Sequence, residues 1–276
     1  MSGPVVVGVD GSRSNLAVVE VAAQAAERLG VGLELTQVVG WPAAAGRFGI
    51  PSWETNGAGG HASKQGALAE AERHAHSAAP RVRISREVLV GEPENVLECV
   101  SRSASLTVVG ADGAQAYGTL RNGSLARRLS ARVSGPLLVV RGRPNPVGPV
   151  LLAVHGTSTL RGAAEFAFAE ASARGADLVA VHARPYGGSA QAVTEDEEDV
   201  ALAGALAGLR ERYPDVTLRC RRPHGRSRRA LVEASADSQL LVVGARGRFG
   251  FVGLPLDPVC QTALNEADCP VALVHC

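Results

Sequence analysis

The chain repeats itself once, and that constrains its fold more than any other feature. Val5-Val6-Val7-Gly8-Val9-Asp10-Gly11-Ser12 answers to Val150-Leu151-Leu152-Ala153-Val154-His155-Gly156-Thr157. Leu106-Thr107-Val108-Val109-Gly110 answers to Leu240-Leu241-Val242-Val243-Gly244, and Gly135-Pro136-Leu137-Leu138-Val139-Val140 to Cys269-Pro270-Val271-Ala272-Leu273-Val274. The first pair is offset by 145 positions and the other two by 134. An insertion of 11 residues in the first half accounts for the difference, and the Gly/Pro-rich segment Trp41–Gly60 is its natural place. A repeat this long is a duplicated domain rather than a solenoid unit. The chain is 276 residues long, enough for two ordinary domains. The reading is a first domain over 1–143, a linker of Pro/Asn/Gly composition over 144–148, and a second domain over 149–276.

Each half alternates strand and helix. Strands are expected near 4–10, 33–39, 82–90, 105–110 and 136–141, then near 149–155, 177–183, 216–221, 238–244 and 270–275. The first, fourth and fifth of each set are unbroken Val/Leu runs, which suit parallel strands buried on both faces. Leu16, Val19, Ala23 and Ala26 fall on one face of the first helix. The expected fold is α/β: two tandem Rossmann-like domains, each a five-stranded parallel sheet with helices on both faces. The run Glu195-Asp196-Glu197-Glu198-Asp199 reads as the start of a helix, its charge complementing the helix dipole.

Composition removes several function classes. Basic residues number 28 and acidic residues 27, so the basic excess of a dedicated nucleic-acid binder is missing. Lys64 is the single lysine, which excludes a G-x-x-x-x-G-K-[ST] phosphate loop. The 5 cysteines form no C-x-x-C, as in a reduced, cytoplasmic protein. No segment approaches the ~20 apolar residues of a membrane span, and no secretory leader is read at Met1–Pro4. No H-E-x-x-H or Cys/His spacing announces a metal, so none is expected. Arginine in place of lysine, with much Ala and Gly, suits a GC-rich bacterial genome.

In an open parallel sheet, ligands bind beyond the carboxyl ends of the strands where the strand order reverses. The loops to inspect follow strands 1 and 4. After strand 4 come Gly110-Ala111-Asp112-Gly113, nine residues, and Gly123-Ser124 opening a helix over Leu125–Arg132. Glycines there let a backbone approach a ligand closely. A helix N-terminus offers free N–H groups and a positive dipole to phosphate. Asp10, after strand 1, can accept hydrogen bonds from an adenine or a ribose. The plain alternative is that the glycines only make turns and Ser124 only caps a helix.

Taken together, these residues resemble the ATP-binding universal stress proteins. That family carries G-x2-G-x9-G-[ST] after strand 4 and an Asp at the end of strand 1; here both stand complete, as Gly110-x2-Gly113-x9-Gly123-Ser124 and Asp10. Gly91-Glu92-Pro93 after strand 3 and the Gly-Pro before the last strand are similar to the family as well. The resemblance covers nearly the whole chain, as two tandem copies, and implies ATP in the first domain, accompanied by Mg2+. Gly8 and Asp10 and the backbone near Val38 would face adenine or ribose. Gly110, Ala111, Asp112 and Gly113, with Gly123, Ser124 and Leu125, would hold ribose and phosphates.

The second half departs where it matters. Gly244-x2-Gly247 is kept, but nine residues later stand Asp257-Pro258. Asp257 would put a negative charge beside a triphosphate, and Pro258 has no N–H to give. An Asp followed by Pro makes a good N-cap and first helical residue, so this helix supplies its own anion. His155 replaces the strand-1 Asp. The second domain is therefore expected not to bind ATP in the family's manner. Arg219, Arg221, Arg222, Arg226, Arg228 and Arg229 crowd together, without the aromatic residues expected of a single-strand binder; a solvated surface is the preferred reading. Trp41 and Trp53 are read as packing on the domain surface, with a lid over a ligand as the alternative.

The leading function is a nucleotide-dependent stress sensor or regulator with ATP in the first domain only, and no catalytic residue is named. The alternatives are a slow ATPase or ATP-dependent phosphorylating enzyme, in which Asp112 would orient water, and a nucleotide-free interaction module. Expected partners are ATP, an unidentified protein, and the chain itself. Self-association would run through the strand Val271–His275, as a homodimer or as a pairing within the chain. Neither a membrane nor a nucleic acid is expected.

Overall fold

The computed structural model describes residues 3–39, 59–111, 125–143, 145–155, 160–182, 195–221, 227–245 and 256–275. Its elements in the first half are β1 (Val5–Gly8), α1 (Arg13–Leu29), β2 (Leu33–Val39), α2 (Gly59–Ala78), β3 (Ile84–Val90), α3 (Pro93–Ser101), β4 (Leu106–Gly110), α4 (Leu125–Leu129) and β5 (Leu137–Val140). The second half has β6 (Val150–Val154), α5 (Leu160–Arg174), β7 (Leu178–His182), α6 (Glu195–Arg212), β8 (Leu218–Arg221), α7 (Ser227–Ser235), β9 (Leu240–Ala245), α8 (Pro258–Glu266) and β10 (Val271–His275). Every predicted strand is present, and α4 stops at Leu129, short of Arg132. The alternation of strand and helix makes this an α/β fold with a mostly parallel sheet, as the sequence reading predicts.

The chain forms two compact units, Met1–Leu129 and Ser130–Cys276. In the first, β1 pairs in parallel with β2 on one side and β4 on the other, and β2 carries β3. Val5, Val6 and Val7 are buried in succession, so both faces of β1 are covered. Helices α1 and α2 pack against each other, as do α3 and α4. Val19, Ala23 and Ala26 are fully buried along α1. Its ends are set by sequence: Ser12 caps it by accepting from the Asn15 N–H, and Gly30 ends it in the left-handed conformation with φ 66°. Strand β3 is mostly exposed, as befits an outer strand.

The second unit repeats the plan. Strand β6 lies between β7 and β9, β7 carries β8, and β9 carries β10, all in parallel. Val150–Val154 is buried along its length. Strands β1 and β2 precede β6 and β7 by the larger offset, β3 and β4 precede β8 and β9 by the smaller one, and so the insertion falls between β2 and β3.

Strand β5, which the repeat assigns to the first half, pairs antiparallel with β10 through Val139↔Val271, Leu138↔Ala272 and Leu137↔Leu273. The expected pairing strand Val271–His275 is thus engaged within the chain by β5. The segment around β5 is tied down further. Arg141 donates to the Ala263, Leu264 and Asn265 carbonyls at the end of α8, and the Arg143 N–H to Asp268 O. The Arg141 guanidinium thus meets the negative end of the α8 dipole.

Candidate functional site

In the first unit β2 and β3 extend from one side of β1 while β4 lies on the other, so the strand order reverses between β1 and β4. An open cleft lies at the carboxyl ends of these strands. Its floor is Gly8, Val9 and Asp10 from the end of β1, and Val109 and Gly110 from β4. Thr36 and Val38 of β2 form one wall, and Pro93 and Leu97 of α3 and Leu125 of α4 contribute the rest. Apolar atoms dominate, which suits the flat face of a base or another planar group.

Polar groups in the cleft are few and held in place. Asp10 Oδ1 accepts from both the Ser12 N–H at 2.8 Å and the Ser12 hydroxyl at 2.7 Å. One carboxylate oxygen is thus spent on orienting the side chain. Asn15, nearly buried, donates from Nδ2 to the Gly8 carbonyl at 3.0 Å and fixes the end of β1. Thr36 is fully buried and its hydroxyl donates to Glu34 at 3.0 Å. The turn between β1 and α1 depends on Gly11, whose φ is +80° and where a Cβ would stand 3.3 Å from Ala67.

Of the residues singled out in the sequence, Gly8, Asp10, Val38, Gly110 and Leu125 line one cleft. Ala111 follows β4 directly. Gly110 is the last residue of β4 rather than part of a turn, so what it contributes is the lack of a side chain. Asp112, Gly113, Gly123 and Ser124 lie outside the described residues, as do Trp41 and Trp53. Asn15, Thr36, Leu97 and Val109 also line the cleft and were not singled out as site residues in the sequence, and Pro93 was not assigned to the site. Pro93 alone carried a signal, in the Gly-Glu-Pro triplet after strand 3.

The corresponding place in the second unit is built differently. Asp257 caps α8: its Oδ1 accepts from the Val259 N–H at 2.8 Å and the Cys260 N–H at 3.1 Å, with Pro258 as first helical residue. The helix end does supply its own anion. His155, at the end of β6, points Nε2 at Asp257 Oδ2 across 3.4 Å. The two departures from the first-half motif therefore meet each other. Burial works against ionised Asp257, but hydrogen bonds from His155 and Cys260 and the charge of His155 outweigh it and hold the carboxyl below its usual range. Cys260 donates from Sγ to the Gly244 carbonyl at 3.6 Å, and burial, then the Asp257 charge, push its thiol up.

The arginine cluster reads as surface. Arg219 pairs with Asp177 at 3.1 Å and Arg229 with Glu233 at 2.8 Å, both well exposed; Arg222 and Arg226 lie outside the described residues.

A model of the universal stress protein family matches residues 1–141 and again 147–275. The chain belongs to this family. A universal stress protein of Mycobacterium tuberculosis strain H37Rv is 33% identical over 303 residues, covering 98% of this chain and 94% of the relative. One from Mycolicibacterium smegmatis is 33% identical over 288 residues, covering 98% and 96%. The crystal structure of a universal stress protein from Archaeoglobus fulgidus superposes with a TM-score of 0.72 at 14% identity, covering 100% of this chain and 97% of that one. That last likeness speaks for the fold alone. Among the described residues, no helix is long and apolar enough to cross a membrane.

Proposed function

We propose that this universal stress protein binds ATP, with Mg2+, in its first domain and serves as a nucleotide-dependent regulator. The domains in this reading are 1–143 and 149–276, joined by 144–148. The observation that carries it is the cleft between β1 and β4, which gathers Gly8, Asp10, Val38, Gly110 and Leu125 at the reversal of strand order. The apolar walls take adenine, Asp10 presents a carboxylate to base or ribose, and the motif residues Gly113, Gly123 and Ser124 take the phosphates. Mg2+ would ride on the triphosphate. Among the described residues Asp10 is the only titratable side chain lining the cleft. That composition favours binding over turnover, since a general base needs an unengaged group at the reacting atom. For ATP to have a regulatory output it must bind one conformation better than another. The second domain, with Asp257 and Pro258 at its helix start, takes no nucleotide in this manner. The cytoplasm is the compartment that fits such a ligand.

The test is Gly8→Val. A Cβ there already stands 3.4 Å from Leu97 Cδ1 and 3.9 Å from Val109 Cγ1, so the added methyls project into the cleft. Fluorescent-ATP binding should be lost while the circular dichroism spectrum is kept, at a stability cost of about 1–3 kcal/mol. Unchanged affinity in a folded variant would place the nucleotide elsewhere.

A further inference from the structure

In the second unit three potential metal ligands converge where the first unit has its cleft. His155 comes from the end of β6, Asp257 from the cap of α8, and Cys260 from its first turn; their donor atoms all lie within 4.8 Å of one another. His155 and Asp257 are separated by about a hundred residues in sequence, so no local motif joins them.

We infer that His155, Asp257 and Cys260 form a zinc(II) site in the second domain, with a fourth position open to water. The ligand set is one imidazole, one carboxylate and one thiol, a borderline-soft combination that suits zinc rather than magnesium or calcium. Tetrahedral zinc with bonds of about 2.0–2.3 Å sets its ligand atoms roughly 3.3–3.7 Å apart. His155 Nε2 and Asp257 Oδ2 already stand 3.4 Å apart, within that range. Among the described residues Asp257 is the only polar partner of the imidazole, whose buried Nδ1 has none. Cys260 is fully buried, and its thiol bonds weakly to Gly244 O at 3.6 Å. A small swing of Sγ away from that carbonyl completes the triad. Cys260 sits in the first turn of α8, three residues after the capping Asp257.

Binding exchanges one bond for another: the Cys260 S–H bond breaks, the Zn–S bond forms, and the proton leaves to solvent with no change of oxidation state. Asp257 is one-third exposed and marks the mouth through which ion and water enter. The second domain would then hold a cation at the position where the first is proposed to hold a nucleotide. The inference does not depend on ATP binding.

The experiment uses the full chain with Cys99, Cys220 and Cys276 replaced by Ser, so that Cys260 and Cys269 are the thiols left. Co2+ is titrated in as a spectroscopic stand-in, and Zn2+ is titrated against a chromophoric chelator. One ion per chain is expected, with a tetrahedral Co2+ spectrum and a thiolate-to-cobalt charge-transfer band. That band should vanish in Cys260→Ser and persist in Cys269→Ser. Zn2+ affinity should fall at least about tenfold in His155→Gln and in Asp257→Asn. ATP affinity should be the same in all of these variants. If Cys260→Ser does not fold, the parent spectrum and the His155→Gln titration decide. Absence of stoichiometric binding, a spectrum without the thiolate band, or a band that survives Cys260→Ser overturns the site.

Discussion

Replacing Asp257 tests whether the second domain's helix start is closed by its own carboxylate. Asp257 Oδ1 accepts two backbone N–H bonds at 2.8 and 3.1 Å, and Oδ2 faces His155 at 3.4 Å. Removing an N-cap of this kind costs about 1 kcal/mol, within a range of about 0.5–2. The pair with His155 is partly open to solvent and adds about 0–1 kcal/mol after screening. Asp257→Ala should therefore destabilise the metal-free protein by about 1–2 kcal/mol. For a domain of this size that lowers Tm by about 2–8 °C. Asp257→Asn keeps the cap and loses only the charge, so its cost should be at most about 1 kcal/mol. The folded protein holds the Asp257 carboxyl below its ordinary value of 3.8, so the stabilisation is present above that pH and is lost on acidification below it. The gap between wild type and Asp257→Asn should accordingly close as the pH falls below about 3.8. The assay is calorimetry in chelator, with the transition of each domain followed separately. An unchanged Tm in Asp257→Ala at neutral pH would refute the capping argument. A gap that widened in acid would refute the charge argument.

Other expectations follow from the same geometry. Gly123→Asp, which copies the second domain's charge into the first, should abolish ATP binding with the thermal transition kept; retained affinity in a binding titration would mean the phosphate loop is misassigned. Asp10→Ala should weaken ATP binding by about 1–3 kcal/mol, measured by calorimetric titration, and unchanged nucleotide selectivity would remove Asp10 from base or ribose contact. Cys99 and Cys220 are exposed, whereas Cys260 and Cys269 are fully buried, with burial pushing the Cys269 thiol up to about 12. Mass spectrometry after brief thiol labelling should find modification at the first two before the second two, and equal rates would contradict the packing. Phe168 is wholly buried on α5, so Phe168→Ala should cost about 3–5 kcal/mol in chemical denaturation; a cost below about 1 kcal/mol would show that α5 does not pack as described.

Much of this was legible in the chain because the physics is local. Unbroken apolar runs such as Val5-Val6-Val7 and Val150–Val154 announce strands covered on both faces. Asp257, followed by Pro258, announces the start of α8. What stayed hidden depends on topology. His155 and Asp257 meet because β6 lies beside β9, a neighbourhood that no spacing encodes. Asn15 and Thr36 stand among other polar residues of α1 and β2, and nothing in the sequence sets them apart from those neighbours. The antiparallel pairing of β5 with β10 was anticipated only as one of two forms of association, because an apolar run carries no record of its partner or direction.

The most direct test of the central claim is calorimetric titration of ATP, with Mg2+, into nucleotide-stripped protein, read for stoichiometry. One site per chain, lost in Gly123→Asp and kept in Asp257→Asn, is the predicted result. Two sites would show that Asp257 and Pro258 tolerate a nucleotide after all, and no site would contradict the assignment of the β1–β4 cleft.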